Sequence, residues 1–367
     1  MLIGIDASRA TSAAPTGTET YSRELIRALL TLPAPHTFRL YTRDYPTPIF
    51  ESRITNYELR IIPFPRLWTH LRLSFEMLTH PPDVLFVPAH VLPPIHPRRA
   101  IVTVHDLGHL HFPDAHPALQ RLYHTWATRW NARQATHVLA DSEATRDDLV
   151  QLCGIAPDKI TVVYPAFDAR VYQPVRDPAR LEATRAHFRI GGDYILTIGT
   201  IHPRKNYARL IEAVGRLGNS NLGLVIVGKR GWLYEEIFTQ VKRLNLQSLV
   251  SFLDYVPAED MPALISGARM FAFPSLHEGF GLPVLEAQAC GVPVVTSMTS
   301  SLPEAAGDGA LFVDPCDVDA LAAAMQRLLG DEVLRAKLVA NGFRNLQRFS
   351  WEKSARQVLG VIHGLGR

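Results

Sequence analysis

Two carboxylates, Glu278 and Glu286, flank the run Gly279-Phe280-Gly281-Leu282-Pro283-Val284-Leu285. An acid at the start of a helix can accept both hydroxyls of a ribose. A second acid on the preceding loop, with the amides of residues 279 to 282, can reach a hexose. Each such charge-assisted bond contributes roughly 1.5–3 kcal/mol. A bare glutamate pair at this spacing is more often a solvated loop and helix; the glycines, which admit a ligand close to the backbone, favour binding. Expected positive charge comes from Gly199-Thr200-Ile201-His202-Pro203-Arg204-Lys205-Asn206. Arg204 and Lys205 follow a strand, where ligands of open α/β sheets bind, and two cations there can neutralise a leaving diphosphate. Basic groups oppose the positive dipole of a helix start, so an anionic ligand accounts for both better than two solvated charges.

Two further places carry chemistry. Val104-His105-Asp106-Leu107 ends another strand, where a neutral His105 can bond a sugar hydroxyl while Asp106 orients its ring or caps the loop; a satisfied strand-end histidine is the alternative. His90 has the same placement after Val84 to Val87. His109, His111 and His116 follow with no cysteine pair and no convincing fourth ligand, so zinc is not expected. Gly17-Thr18-Glu19-Thr20-Tyr21 opens a helix, and its amides fit either a phosphate or a tight turn. The preceding loop is not Gly-x-Gly-x-x-Gly, which disfavours a dinucleotide-dependent oxidoreductase.

The elements that must position these residues are legible as hydrophobic runs. Strands are expected at 2–5, 38–41, 59–62, 84–87, 101–104, 137–140 and 160–163, with helices at 18–31, 118–133 and 143–152. Between 165 and 192 strand signals stop, and three prolines break a charged linker with a helix in it. A second set of strands follows at 194–198, 223–227, 250–253, 270–273, 292–296 and 310–313. Helices fit at 206–216, 233–244, 259–267, 283–290, 318–329 and 331–347. Asn206 is expected to cap the first of these, and Glu286 to lie in the first turn of its helix. The fold class is therefore α/β, with two doubly wound Rossmann-like domains facing a cleft. Residues 1–175 would form the first domain and 176–350 the second, and a tail helix at about 351–367 packs back onto either, with the first preferred.

Bulk properties limit the function classes. The chain has 367 residues, 47% of them hydrophobic, and a net charge of +3, too small to imply nucleic acid. Cys153, Cys290 and Cys316 are widely spaced and suit a reducing compartment rather than a disulfide framework. No leader pattern and no 18-residue apolar run is evident, so the expectation is a cytoplasmic protein, at most peripheral on a membrane. The segment 63–73, with Arg66, Trp68, Arg72 and several leucines, is either a solvated helix face or a contact for an anionic bilayer or lipid-linked acceptor.

Together these motifs resemble the retaining glycosyltransferases of family 4, of GT-B fold. The resemblance is strongest over 194–304, through residues 199–206, Val225 to Lys229, Phe252 to Val256, Phe273-Pro274-Ser275, Glu278 to Glu286, and Ala289 to Val295. It is looser in the first half, through Gly17 and His105-Asp106. It implies that Glu286 holds the ribose and Glu278 a hexose hydroxyl, with the Phe280-Gly281-Leu282 backbone supporting sugar and phosphate. Arg204 and Lys205 would hold the diphosphate, helped by the Gly17 amide. His105 would meet the sugar near its O6, and the base would lie against Gly228, Lys229 and the Tyr255-Val256 backbone. Many relatives carry arginine where Thr200 stands, so neutralisation here leans on Arg204 and Lys205.

The implied activity is retaining transfer of a hexose, with mannose or glucose as the guess, from a GDP- or UDP-sugar to a glycan, lipid-linked or small-molecule acceptor in polysaccharide assembly. GDP-mannose is the donor guessed. No cofactor and no metal are expected. The alternatives are a nucleotide-sugar epimerase of the same fold and a non-catalytic nucleotide-sugar-binding subunit. Oligomeric state is not legible.

Overall fold

The structure, a computed structural model, describes residues 1–11, 17–33, 35–44, 56–89, 91–112 and 118–366. His90, His116 and the 12–16 part of the loop before Gly17 lie outside the described residues. The chain divides into two compact units. One comprises Met1–Leu110, Ala118–Ala166 and Phe349–Arg367, the other His111–Pro117 and Phe167–Arg348.

The first unit is built on β1 (Leu2–Asp6), β2 (Thr37–Thr42), β3 (Tyr57–Ile61), β4 (Val84–Val87), β5 (Ala100–Val104), β6 (His137–Ala140) and β7 (Ile160–Val162). They form one parallel sheet in the order β3-β2-β1-β4-β5-β6-β7. Every residue of β4 and β5 is buried, as central strands covered on both faces require, including Thr103 in β5. Alternate side chains divide between the faces. Ile3, Ile5, Phe38 and Phe86 pack with Leu25, Ile26 and Leu29 of the helix Gly17–Thr31 and with Val358 and Ile362 of the tail helix Trp351–Gly366. Leu85, Val87, Val102 and Val104 pack on the other side with Leu73, Leu149 and Cys153. The tail helix thus belongs to the first unit, and its Ser354 hydroxyl donates to the Tyr164 carbonyl at 2.6 Å.

The second unit holds β8 (Asp193–Ile198), β9 (Leu222–Val227), β10 (Val250–Leu253), β11 (Met270–Phe273), β12 (Val294–Ser297) and β13 (Ala310–Val313). Their order is β10-β9-β8-β11-β12-β13, again parallel throughout. The order reverses at β8 and β11, the switch point at which such sheets bind ligands. Residues 167–175, expected with the first domain, are built into this unit. Tyr172 packs on the core around Leu196 and Phe271, and the Val175 amide donates to the Ser266 hydroxyl at 3.0 Å. His111 is counted here too, its ring stacked on His277 at 4.5 Å. Two short helices, Gly108–His111 and Leu302–Ala306, were too brief to show a period in the sequence.

Candidate active site

In the second unit the expected residues gather at the carboxyl ends of β8, β9 and β11. Beyond β8 and β9 the two loops keep pairing. Gly199 donates to the Val227 carbonyl at 2.8 Å, Ile201 to the Lys229 carbonyl at 2.9 Å, and Gly231 to the Ile201 carbonyl at 2.9 Å. Gly228, at φ 152, makes this possible, since a Cβ there would sit 2.1 Å from the Gly199 carbonyl oxygen. The pairing places Thr200 beside Gly228 and leaves Lys229 exposed. Tyr255 is exposed after β10, and Val256 beside it is buried.

The loop from β8 then turns back through Pro203–Lys205. Asn206 takes φ 61 at the cap position of the helix Tyr207–Arg216, but its side chain does not cap. Its amide instead donates to the Pro274 carbonyl at 3.0 Å and the Pro315 carbonyl at 2.6 Å, while its oxygen accepts from Arg209. Two chain carbonyls buried beside a turn needed a donor more than the helix start did. Asn206 thereby ties the Arg204-Lys205 turn to the end of β11, and the Arg204 carbonyl accepts from the Leu276 amide at 2.9 Å.

That tie brings Lys205 onto Glu278. The ammonium and carboxylate meet at 2.6 Å, both buried, with the ammonium 4.8 Å from the centre of the Phe273 ring. Burial alone would raise the Glu278 carboxyl. The charges of Lys205 and Arg204, with the hydrogen bond from Lys205, outweigh it and hold the acid below its usual range. The pair is a preassembled anion and cation at a switch point, unlike the two separate ligand-seeking groups expected from sequence.

The 274–281 loop that carries Glu278 is pinned from one side by hydroxyls. Thr296 donates to the Phe273 carbonyl at 2.8 Å, Ser297 to the Ser275 carbonyl at 2.7 Å, and Thr299 to the Leu276 carbonyl at 3.2 Å. Ser301 bridges the carbonyls of Glu278 and Phe280, both at 2.9 Å, and the Ser300 hydroxyl accepts from the Glu278 amide. None of these residues was singled out in the sequence. The signal was there in Thr296-Ser297-Met298-Thr299-Ser300-Ser301, a run dense in hydroxyls directly after a strand.

Glu286 sits apart from this pair. Gly281, at φ 107, ends the loop in a conformation only glycine holds easily, and a Cβ there would lie 2.7 Å from Leu302. The helix Leu282–Ala289 begins immediately after it, so Glu286 falls just past the first turn rather than within it. Its half-buried carboxyl shares a hydrogen bond with the Tyr172 hydroxyl. Burial pushes it up to about 7, a rise the Tyr172 bond only moderates. Tyr172, from the segment ahead of the unit's first strand, was also missed. Phe280 is buried and Leu282 half-buried.

His105 and Gly17 lie in the first unit. Asp106 does not orient His105; its carboxylate accepts from the Gly108 amide at 2.9 Å and caps the loop. The orienting acid is Asp141, at the end of β6, 2.7 Å from His105 Nδ1. His105 Nε2 faces the Pro88 carbonyl at 3.3 Å, and Tyr21 packs edge-on against the ring at 4.8 Å. Both ring nitrogens thus face acceptors. Burial would lower the ring's proton affinity, but Asp141 and the Pro88 carbonyl raise it above the ordinary value. Asp141 escaped the sequence reading because it lies 36 positions away on the neighbouring strand. Gly17 is the first residue of its helix and exposed.

The pattern of Glycosyltransferase Family 4 matches residues 15–171, and that of Glycosyl transferases group 1 matches residues 183–345. O-antigen chain mannosyltransferase B of Escherichia coli is 35% identical over 267 residues, 72% of this chain and 70% of that protein. The MMP alpha-(1->4)-mannosyltransferase of Mycolicibacterium hassiacum is 32% identical over 63% of this chain and 54% of its own length. The chain thus spans about half of this second relative. Sucrose-phosphate synthase from Thermosynechococcus elongatus shares the fold, with a TM-score of 0.78 at 23% identity over 100% of this chain and 99% of that one. Anabaena HepE, solved with UDP and glucose, gives 0.77 at 20% identity, covering 99% of each chain. The two Rossmann-like sheets are those of the GT-B fold, and the chain belongs to glycosyltransferase family 4 as a retaining hexosyltransferase.

Proposed function

We propose that the protein transfers mannose from GDP-mannose to a growing glycan, lipid-linked or free, in the assembly of a surface polysaccharide. The observation that carries the reading is the buried Lys205–Glu278 pair with Arg204 beside it. As the bond from C1 to the diphosphate oxygen breaks, negative charge grows on the phosphate. Cations already fixed in a dry site stabilise that charge without reorganising. Glu278, anionic because of the same cations, accepts a hydroxyl of the hexose. Glu286 accepts the ribose hydroxyls, exchanging its bond to Tyr172 for them. The amides and backbone of Phe280, Gly281 and Leu282 support sugar and phosphate, and the base lies along Gly228, Lys229, Tyr255 and Val256, with Thr200 beneath it. Gly17 serves the diphosphate, and His105, oriented through its contact with Asp141, serves the sugar hydroxyl. The lysine and arginine supply positive charge that other transferases draw from a metal, so the reading needs no metal and no cofactor.

The choice of mannose is supported by the names of the relatives in Escherichia coli and Mycolicibacterium hassiacum. The base is the less constrained part, because Anabaena HepE was solved with UDP. Epimerase and silent-subunit readings draw no support from relatives that are transferases. No described helix is long and apolar enough to cross a membrane. We place the protein in the cytoplasm, peripheral at the inner membrane face. A thermal-shift screen of GDP-, UDP- and ADP-sugars in the presence of a chelator tests the donor. GDP-mannose at about 100 times its Kd should stabilise by about 2.7 kcal/mol. Stabilisation by a UDP-sugar alone would move the donor assignment, and dependence on a restored divalent metal would remove the metal-free reading.

A further inference from the structure

The segment for which the sequence leaves a solvated face and a bilayer contact both open is a helix with two apolar sides. Trp68–Leu73 is a wide π-helical stretch that runs directly into the helix Ser74–Thr79. Its inner side is filled: Trp68, Leu73 and Met77 are buried among Tyr41, Ile62 and Leu85, and the Trp68 indole donates to the Ile62 carbonyl at 2.7 Å. A surface helix so packed normally turns polar residues outward. This one exposes Leu67 (63%), Leu71 (54%), Phe75 (57%) and Leu78 (63%). Their spacing of four, four and three sets them in one stripe. Leu67 also holds φ 55, a conformation leucine adopts only under constraint.

Within the segment the charges are mostly basic, and Arg43 with the exposed Asp44 lies beside its start at Pro63 to Pro65. Across residues 60–80 the acid is Glu76, which is buried and taken up by Arg60 at 2.9 Å and Arg72 at 3.3 Å. Arg66 and His80 are exposed, and the Arg72 guanidinium lies 5.8 Å from the centre of the Phe75 ring. Large apolar side chains edged by bases are the pattern of a helix lying in a lipid interface.

We infer that this stripe docks the protein on an anionic lipid bilayer, with Leu67, Leu71, Phe75 and Leu78 at the acyl boundary and Arg66 among the headgroup phosphates. A second copy of the chain is a poorer occupant, because pairing two such faces would set their basic edges against each other. The inference gives a surface to the peripheral location proposed above, and its test does not use the transfer reaction.

The full chain is floated with phosphatidylcholine vesicles, with and without phosphatidylglycerol. The wild type should float with the anionic vesicles and bind less at high salt. Leu71→Ser with Phe75→Ser should cut binding by about tenfold or more. Arg66→Glu should cut it by about fivefold or more. Melting temperature and the thermal shift with nucleotide sugars should not change, so loss of lipid binding and loss of donor binding are separable. Wild type that stays with the lipid-free fraction would overturn the inference, as would undiminished flotation of both variants. A concentration-dependent dimer abolished by the Leu71 and Phe75 substitutions would assign the face to a second copy and overturn it equally. Should the double variant misfold, Arg66→Glu and the salt dependence decide alone.

Discussion

The loop end and the helix end of the 278–286 motif carry the same functional group in opposite electrostatic states. Glu278 lies between cations, at 2.6 Å from Lys205, and is kept anionic despite burial. Glu286 has a phenol for a neighbour and no cation among the groups that shift it, so burial raises it to about 7. Environment, not residue type, assigns the roles. One acid is built with its counter-charge, as the sugar-binding role proposed for it requires. The other is poised near neutrality, and in its proposed role it becomes a good acceptor for ribose hydroxyls when it gives up its proton.

The largest effect should come from breaking the first pair. Lys205→Ala should cut turnover by about 10²–10³ through loss of leaving-group stabilisation. It should also cost stability, by roughly 3–5 kcal/mol, because Glu278 is left buried and uncompensated. Pairing it with Glu278→Gln should recover melting temperature without recovering turnover. If single-turnover rates of Lys205→Ala stay near wild type, the lysine is structural only.

Glu286→Gln should weaken donor binding by about ten- to a hundredfold, as for loss of a charge-assisted bond. In the wild type, donor affinity should rise with pH through about 7 as Glu286 ionises. The stability contribution runs the other way. A carboxyl raised in the folded state binds its proton more tightly there than in the unfolded chain, so that contribution is complete below the unfolded value and lost as pH rises through about 7. The glutamine variant should flatten both dependences. Isothermal titration of donor between pH 6 and 8 would decide, and a flat wild-type profile would dismiss the assignment.

The smallest effect should come from the clamp. Ser301→Ala frees the carbonyls of Glu278 and Phe280, at a cost of about 1 kcal/mol in denaturant melts. Turnover should fall less than for Lys205→Ala, with donor affinity at Glu286 unchanged. A loss as large as that of Lys205→Ala would mean that the clamp, rather than the charges, sets the geometry of the loop end.

Much of the fold was legible because its signals are local. β4 and β11 are short, wholly apolar runs, and a parallel strand buried on both faces needs no more than that. The helix after Gly281 was announced by Pro283 and by Gly291 beyond its end. Arg204, Lys205, Glu278 and Glu286 stood out because each adjoins a strand end or glycine turn within a few residues. Asp141 and Tyr172 did not, because they reach their partners from 36 and 114 positions away, across strands that only the folded sheet makes neighbours.

The sequence alone therefore determined the two sheets, their class and the identity of the charged groups, since periodicity and composition act over short stretches of chain. Tertiary structure decided what those groups are. It set Lys205 on Glu278, gave His105 two acceptors that raise its proton affinity, turned Asn206 from a cap into a tie, and buried Glu286 so that its carboxyl rises to about 7. Charge state depends on desolvation and on which dipoles face a group, and both are properties of the packed interior rather than of the chain.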